Sequence, residues 1–473
     1  MEFPFVDNSN IDARTRKQIR SQVMRGKNVG KKKQRVQHGR GKLAILTAKS
    51  LEPSEKKPLS SGPDCSSLGQ MVALPSKHWS DFDSFSYPRE LKPYMRAILN
   101  SFLSTAGDGL YPRVFCREAA RAHHVFFELF VSDETFFHCL LAIAEGHHHM
   151  LVGDFNVSFF TLKCLSNTYR GISNDLAKNS VPTYGTIASV MSLVMHESLF
   201  GVVKISKLHL EALEKMINLK GGLHIFERYP ALLHKICRSD LNFALRTGAQ
   251  PRLYRDSFPR DEVKHIMTNI DANRAESFLE IRDETTRGVF NDCMNISYIL
   301  NIHYTKSMRP ITASSNGHEN EMYKMHSFSF QEFLISVGYR LLRAHPLETP
   351  NTMNVFDKAC YLALLAFIVS ILIYPGPKPE NLYQLLSDKL RHIITQLDSK
   401  NDPFKLWVCC IARISVIHSG KDGIIVDSIL ASLLQKLNIG TSAKASEILM
   451  QFPWIHYFHN EPSIQVLHGI CIH

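Results

Sequence analysis

The spacing of apolar residues most constrains the fold of this 473-residue chain. From about Tyr87 onward, apolar side chains recur mostly every three or four positions, which is the period of a helix with one buried face. The clearest case is residues 204–219, where Ile205, Leu208, Ala212, Met216 and Leu219 recur at three- and four-residue spacing. Gly221 and Gly222 follow as a stop signal. Because strand-like alternation is hard to find, we predict an all-α body.

A second helix is predicted at residues 132–148, where Ser132, Asp133 and Glu134 supply a cap and acids for the helix N-terminus. Further helices are predicted at residues 90–103, 113–130, 156–177, 183–199, 231–246, 276–303, 330–344, 355–374, 381–397, 405–418 and 424–437. A body of about 390 residues exceeds the size at which single cores usually stop growing. We therefore also consider two packed helical halves, with the polar stretch 305–326 as the seam between them.

Positive charge is concentrated at one end of the chain. The whole chain has 55 Lys and Arg against 44 Asp and Glu, which gives a net charge of +11. Residues 1–60 contain 15 of the Lys and Arg residues and 5 of the Asp and Glu residues. Residues 61–473 therefore contain 40 basic and 39 acidic residues and are nearly neutral. Residues 50–67 are Ser or Pro at nine of eighteen positions, which is typical of a flexible linker. We predict a disordered basic arm at 1–49, a linker at 50–85 and a helical domain at 86–473.

The basic arm is the segment with the clearest functional signal. Asp12 can cap a short helix that ends before Gly26. The residues expected to form a nuclear-import address or to contact nucleic-acid phosphates are Arg16, Lys17, Arg20, Arg25, Lys31, Lys32, Lys33 and Arg35. The alternative is a solvated tail that only keeps the protein soluble. The arm lacks interleaved aromatics and heptads, so DNA contact through residues 14–42 would be non-specific.

The ten cysteines indicate packed thiols rather than a metal or disulfide framework. Apart from the adjacent Cys409 and Cys410, none lies within 22 positions of another, and there is no CxxC pair. His147, His148 and His149 cannot all reach one ion from a helix, because successive side chains point about 100° apart. His468, Cys471 and His473 are interpreted as part of a frayed terminus. We expect no metal and no cofactor.

Sequence signatures of common enzymes and of membrane proteins are absent. We find no GxSxG, GxGxxG, GxxxxGK[ST] or HExxH motif, so no catalytic residue is predicted. The longest apolar run, residues 359–374, is 16 residues long and falls short of a bilayer span of about 18–20 residues. We interpret it as a buried helix, and we expect no secretory signal and no membrane contact.

Two parts of the chain resemble known fungal proteins. The start, FPFV at 3–6 and RKQIRSQVMR at 16–25, resembles an amino-terminal signature of filamentous-fungal proteins in which His usually stands where Gln22 is found here. In the body, the segments that carry a second resemblance are HLEALEKMI at 209–217, Gly221-Gly222-Leu223, RSDLNFA at 238–244, Pro251, QFPWI at 451–455 and Glu461-Pro462. With these segments the body resembles the fungal-specific transcription factor domain.

The resemblance implies a nuclear, non-enzymatic transcription regulator, with other transcription-machinery proteins or a small apolar ligand bound between helices as its partners. Members of this family usually read DNA through six closely spaced cysteines that hold two zinc ions, and residues 1–60 contain no cysteine. Zinc-dependent DNA binding is therefore not implied. The alternatives are a helical scaffold without a role on DNA and an enzyme of secondary metabolism. The oligomeric state is not indicated.

Overall fold

The computed structural model describes residues 86–114, 116–117, 121–153, 156–200, 203–261, 263–264, 267, 281–307, 324–349, 352–372, 382–398, 401–418 and 420–471. All of them belong to one compact unit, Leu74–His473. The predicted arm and linker lie outside the described residues, and so do all eight basic residues proposed as the nuclear address. The division of the chain at residues 49 and 85 therefore stays a prediction.

The all-α prediction is confirmed, because helices make up 77% of the described residues. The α-helices are α1 (Pro93–Leu110), α2 (Arg121–Ser132), α3 (Glu134–Leu151), α4 (Phe159–Lys178), α5 (Tyr184–Phe200), α6 (Val203–Lys220), α7 (Pro230–Thr247), α8 (Glu284–Ser307), α9 (Ser327–Ala344), α10 (Val355–Leu372), α11 (Gln384–Gln396), α12 (Asp402–Ser415), α13 (Lys421–Lys436), α14 (Ser442–Leu449) and α15 (His456–Cys471). A 3-10 helix, Leu223–Arg228, joins α6 to α7. Within the described residues the only strands are β1 (Cys116–Arg117) and β2 (Met325–His326), which pair in parallel.

Several segments differ from the sequence prediction. The helix predicted at 113–130 begins only at Arg121, because Cys116 and Arg117 form β1 instead. Helices α14 and α15 were not predicted, and α15 continues through Pro462 to Cys471. His468 and Cys471 therefore lie in a helix rather than in a frayed end, whereas His473 lies outside the described residues. Proline disfavours a helix interior, but α15 buries Leu467 and His459 in the core, and this packing outweighs the local penalty.

Local chain chemistry explains two of the helix ends. The Gly222 N–H donates to the Ile217 carbonyl at 2.9 Å, and the Gly221 N–H donates to the Asn218 carbonyl at 3.1 Å. These bonds form a Schellman stop with positive φ at both glycines, as the sequence predicted. The N-terminus of α3 is capped by Asp133, whose carboxylate accepts from the Phe136 N–H at 2.7 Å, whereas Ser132 belongs to α2.

The buried face of α6 shares only Met216 with the face that the spacing indicated. The buried residues are Ser206, Leu210, Leu213, Met216 and Ile217. Ile205, Leu208 and Leu219, which were expected in the core, are exposed. This helix has two apolar stripes at helical spacing, and periodicity alone cannot say which of them meets the core.

Two buried helices organise the core. Helix α3 contacts α1, α2, α4 and α5, and α10 contacts α8, α9, α11, α12 and α15. Helix α7 contacts α2, α5, α9 and α10, and thereby joins the two groups. One hydrophobic cluster includes residues from both groups of helices, and its members extend in sequence from Leu91 to Leu467.

Helix α10 contains residues 359–372 of the longest apolar run of the sequence. It is long and apolar enough to cross a membrane by length and composition, but 72% of its residues are buried inside the protein. This burial agrees with the interpretation of the run as a core helix.

The cysteines in the described residues pack as apolar side chains. Eight of them are buried and form no disulfide bond within the described part of the chain, including the adjacent Cys409 and Cys410. Burial raises the pKa of Cys409 to about 12 and that of Cys164 to about 11. For these eight residues, the predicted role in core packing is confirmed.

Candidate functional site

A buried polar network joins α7 to α9 at the centre of the body. Asp240 on α7 is 1% exposed, and its carboxylate accepts from the backbone N–H groups of Arg252 and Leu253 at 3.0 and 2.9 Å. The Tyr339 hydroxyl on α9 donates to the same carboxylate at 3.0 Å. Burial raises the pKa of Asp240 to about 6, although these hydrogen bonds act in the opposite direction. Asp240 thus fixes the segment after α7 against α9.

Arg238 reaches from α7 to two other helices. Its guanidinium donates to the Gln331 side-chain oxygen on α9 at 2.7 Å and to the Leu372 carbonyl at the end of α10 at 2.9 Å. Gln331 in turn donates to the Leu110 carbonyl at the end of α1 at 2.6 Å. A single buried cation therefore ties together helices that are far apart in sequence.

Glu332 is the anionic centre of the network. Its carboxylate accepts from Arg255 Nε at 2.8 and 3.1 Å and lies 3.0 Å from His234 Nε2. Burial lowers the pKa of His234, so we assign it as neutral, with its Nε2–H donating to Glu332. Burial alone would raise the pKa of Glu332, but its hydrogen bonds from His234 and Arg255 lower it on balance. We call Arg238, Asp240, Arg255, Gln331, Glu332 and Tyr339 the α7–α9 network.

A second group of ion pairs extends the network to α8. Arg260 contacts Asp256 at 2.9 Å and Asp292 at 3.2 Å, and the Ser336 hydroxyl donates to Asp256 at 2.7 Å. Arg340 contacts the same carboxylate of Asp292. Because cations and donors engage these carboxylates, the arrangement suits a structural connection between helices rather than acid–base catalysis.

A cleft of about 500 Å³ lies beside Trp454, between α8 and the segment before α15. Its walls are mainly apolar and aromatic, and the lining residues are Met294, Ser297, Tyr298, Asn301, Ile302, Thr305, Met450, Phe452, Trp454 and His456. The Ser297 hydroxyl is buried without a hydrogen-bond partner in the described part of the chain. We call this the Trp454 cleft. A cleft of about 870 Å³ lies between α12, α13 and α15.

The segment that forms the Trp454 cleft is firmly held. Asn301 on α8 donates to the Trp454 carbonyl at 2.7 Å and accepts from the His456 N–H at 2.8 Å. Phe452 stacks on Trp407 of α12 with ring centroids 5.5 Å apart. The Trp407 indole donates to the Pro453 carbonyl at 3.0 Å. These contacts explain why Phe452, Pro453 and Trp454 act together as an anchor for α15.

Of the histidines singled out in the sequence, those in the described residues lie in helices. His147, His148 and His149 occupy the last turns of α3, and the His147 ring packs edge-on against Phe102 at 5.3 Å. Burial lowers the pKa of His147. Among the described residues, no group of three or more His, Cys, Asp or Glu could hold a metal ion. His468 lies on α15, and His473 lies outside the described residues.

The elements from β1 to α7, including Arg238 and Asp240, coincide with a known family segment. Residues 115–249 match the fungal specific transcription factor domain. This transcription-factor segment covers less than a third of the chain and points to a transcription factor rather than an enzyme. No curated protein and no solved structure matches the chain.

The match confirms the resemblance for part of the chain. It includes the segments at 209–217, 221–223 and 238–244, whereas Pro251 and residues 451–462 lie beyond it. The amino-terminal signature stays a prediction. Within the transcription-factor segment, Arg238 and Asp240 belong to the α7–α9 network, and Glu211 and Glu214 on α6 form ion pairs with Arg252 at 2.7 and 2.6 Å. The partners Arg255, Gln331, Glu332 and Tyr339 lie outside the segment and were not identified from the sequence.

Proposed function

We propose that this protein is a fungal transcription regulator whose helical body is the regulatory part and whose basic arm brings it to the nucleus. The observation that supports the proposal most is the match of residues 115–249 to the fungal specific transcription factor domain. The eight basic residues of the arm supply the import address, and contact of residues 14–42 with DNA phosphates adds sequence-independent affinity. Specificity for promoters would come from other transcription-machinery proteins that bind the body.

The α7–α9 network supports a regulatory role for the whole body rather than for the matched segment alone. Arg238 and Asp240 belong to that segment, but their partners Gln331, Tyr339 and Leu372 belong to helices that follow it. A change in the packing of α9 or α10 would therefore alter the position of α7. The network provides a physical connection through which binding to one half can affect the other.

The Trp454 cleft is where the residues best fit a small apolar ligand. Its volume lies within the range of about 300–1,000 Å³ that is usual for ligand sites. Aromatic and thioether groups line it, and the Ser297 hydroxyl supplies a hydrogen-bonding group without a partner among the described residues. We propose a flat apolar molecule with one polar group as the class of ligand for this regulator.

Replacement of Lys31, Lys32, Lys33 and Arg35 by alanine is expected to move a fluorescently tagged protein from the nucleus to the cytoplasm. The reason is that import receptors recognise clustered positive charge, and the change removes four charges from the arm. The measurement is the nuclear-to-cytoplasmic fluorescence ratio in living hyphae. The control is a variant in which Lys31, Lys32 and Lys33 are changed to Arg and Arg35 is changed to Lys, which keeps the charge. An alanine variant that is as nuclear as the unchanged protein contradicts the proposed address.

A further inference from the structure

Helix α4 has an apolar stripe that faces solvent. Leu162, Tyr169 and Leu176 are 54%, 40% and 43% exposed. They lie seven positions apart, which is about two helical turns, so they share one face. The core face of this helix is formed by other residues, namely Thr161, Cys164, Thr168 and Ile172. Burial in the core therefore does not account for the stripe.

Helix α6 has a similar stripe. Leu208 and Leu219 are 57% and 61% exposed, and Ile205 is 40% exposed. Ile205 and Leu219 are fourteen positions apart, and Leu208 lies one turn beyond Ile205, so the three share a face. These are the residues that the spacing assigned to the core.

Side-chain contacts link the helices that carry the two stripes. The Tyr169 ring of α4 stacks on the His209 ring of α6, with centroids 6.0 Å apart. The Lys220 ammonium at the end of α6 donates to the Pro182 carbonyl, four residues after the end of α4, at 2.9 Å. The middle of α4 thus contacts α6 through side chains, and the loop after α4 contacts the end of α6, so the two helices run in the same general direction. We call the surface bounded by Leu162, Tyr169, Leu176, Ile205, Leu208 and Leu219 the α4–α6 groove.

The rim of the α4–α6 groove is positively charged. Helix α4 contributes Lys163 and Arg170, and α6 contributes Lys204, Lys207 and Lys215, all of them exposed. The acids of the two helices are already engaged. Asp175 accepts hydrogen bonds from Thr183, Thr186 and Asn179, and Glu211 and Glu214 hold Arg252. An apolar groove with a cationic rim is complementary to an apolar stripe flanked by carboxylates.

We propose that the α4–α6 groove binds an acidic amphipathic segment of a partner protein. The distance along α4 from Leu162 to Leu176 is about 21 Å, which is the length of a helix of about fifteen residues. Such a segment would place apolar side chains at three- and four-residue spacing into the groove and carboxylates against its lysines. A second copy of the chain would bring one cationic rim against another, and the basic arm would also be repelled. Binding here does not depend on a role in transcription.

The test uses the full-length protein and a fluorescein-labelled helical peptide with Leu at three- and four-residue spacing and Glu at the remaining positions. Fluorescence anisotropy is expected to show saturable binding that weakens with salt. Combined replacement of Leu162, Leu208 and Leu219 by Gln is expected to reduce affinity at least about tenfold. These side chains are exposed, so the variant retains its fold, which circular dichroism checks. Val355→Gln and Ile424→Gln, at exposed apolar residues outside the groove, are the matched controls and are expected to leave affinity unchanged.

The basic arm could also attract an acidic peptide, so a second comparison is needed. A variant with Lys31, Lys32, Lys33 and Arg35 changed to Ala is expected to retain the binding that the groove variant loses. Equal binding of a peptide with Lys in place of Glu, or undiminished binding by the groove variant, overturns the proposal. Two other results would also overturn the proposal. One is that the unchanged protein forms a dimer and the groove variant does not. The other is that vesicles containing phosphatidylserine capture the unchanged protein but not the groove variant. Those outcomes would assign the groove to a second copy or to a membrane.

Discussion

Replacement of Glu332 by alanine is expected to lower the free energy of unfolding by about 3–5 kcal/mol. Glu332 lies against Arg255 and His234 in the α7–α9 network. Its removal leaves the Arg255 guanidinium largely buried, with the exposed Glu227 as its only ion-pair partner among the described residues. A buried cation that loses its partner cannot recover the hydration that it gave up on folding. The measurement is equilibrium denaturation followed by circular dichroism.

Two further variants separate this effect from a general sensitivity to substitution. Glu332→Gln keeps the shape and one hydrogen-bond acceptor, so it is expected to cost less than the alanine variant. Asp261→Ala removes an acid from an exposed ion pair with Lys264 and is expected to leave stability unchanged. A Glu332→Ala variant that unfolds with the same free energy as Asp261→Ala would show that the network does not hold α7 to α9.

The affinity of the full-length protein for duplex DNA is expected to fall about 10⁴-fold between 50 and 200 mM salt. The eight basic residues of the arm would each release counterions on meeting a phosphate, which gives a slope of about −7 in a plot of log affinity against log salt. The affinity is expected to vary little among duplexes of unrelated sequence, because phosphate contacts do not read bases. A salt titration with several labelled duplexes measures both quantities.

The variant in which Lys31, Lys32, Lys33 and Arg35 are alanine is the control for this titration. It removes four of the eight expected contacts, so its slope is expected to be about half that of the unchanged protein. A slope that is the same in both proteins would place the phosphate contacts elsewhere. A complex that is insensitive to salt and selective for one sequence would contradict the proposed role of the arm.

The sequence predicted the helices well wherever one apolar stripe and a clear stop were present. The spacing in residues 204–219 and the two glycines after it located α6 nearly to the residue. The same spacing failed to identify the buried face, since α6 has a second apolar stripe that faces solvent. Helix α15 escaped prediction because Pro462 interrupts its pattern, and its stability comes from contacts with α8, α10 and α12 that are distant in sequence.

Only part of the candidate site could be predicted from the sequence. Arg238 and Asp240 were noticed as part of a family resemblance, but their partners could not be named. Glu332 lies 98 positions from His234, and Gln331 lies 93 positions from Arg238. No local pattern marks such pairs, because they depend on how α7 and α9 pack. The Trp454 cleft likewise forms only when α15 packs against α8.

Chromatin immunoprecipitation with sequencing is the most direct test of the central proposal that this protein regulates transcription. A tagged full-length protein expressed from its own locus is expected to be enriched at a defined set of promoters. The arm variant, with Lys31, Lys32, Lys33 and Arg35 changed to alanine, is expected to lose this enrichment. Absence of enrichment at any promoter, together with recovery of a stable cytoplasmic partner, would contradict the proposal and identify the protein as a helical scaffold.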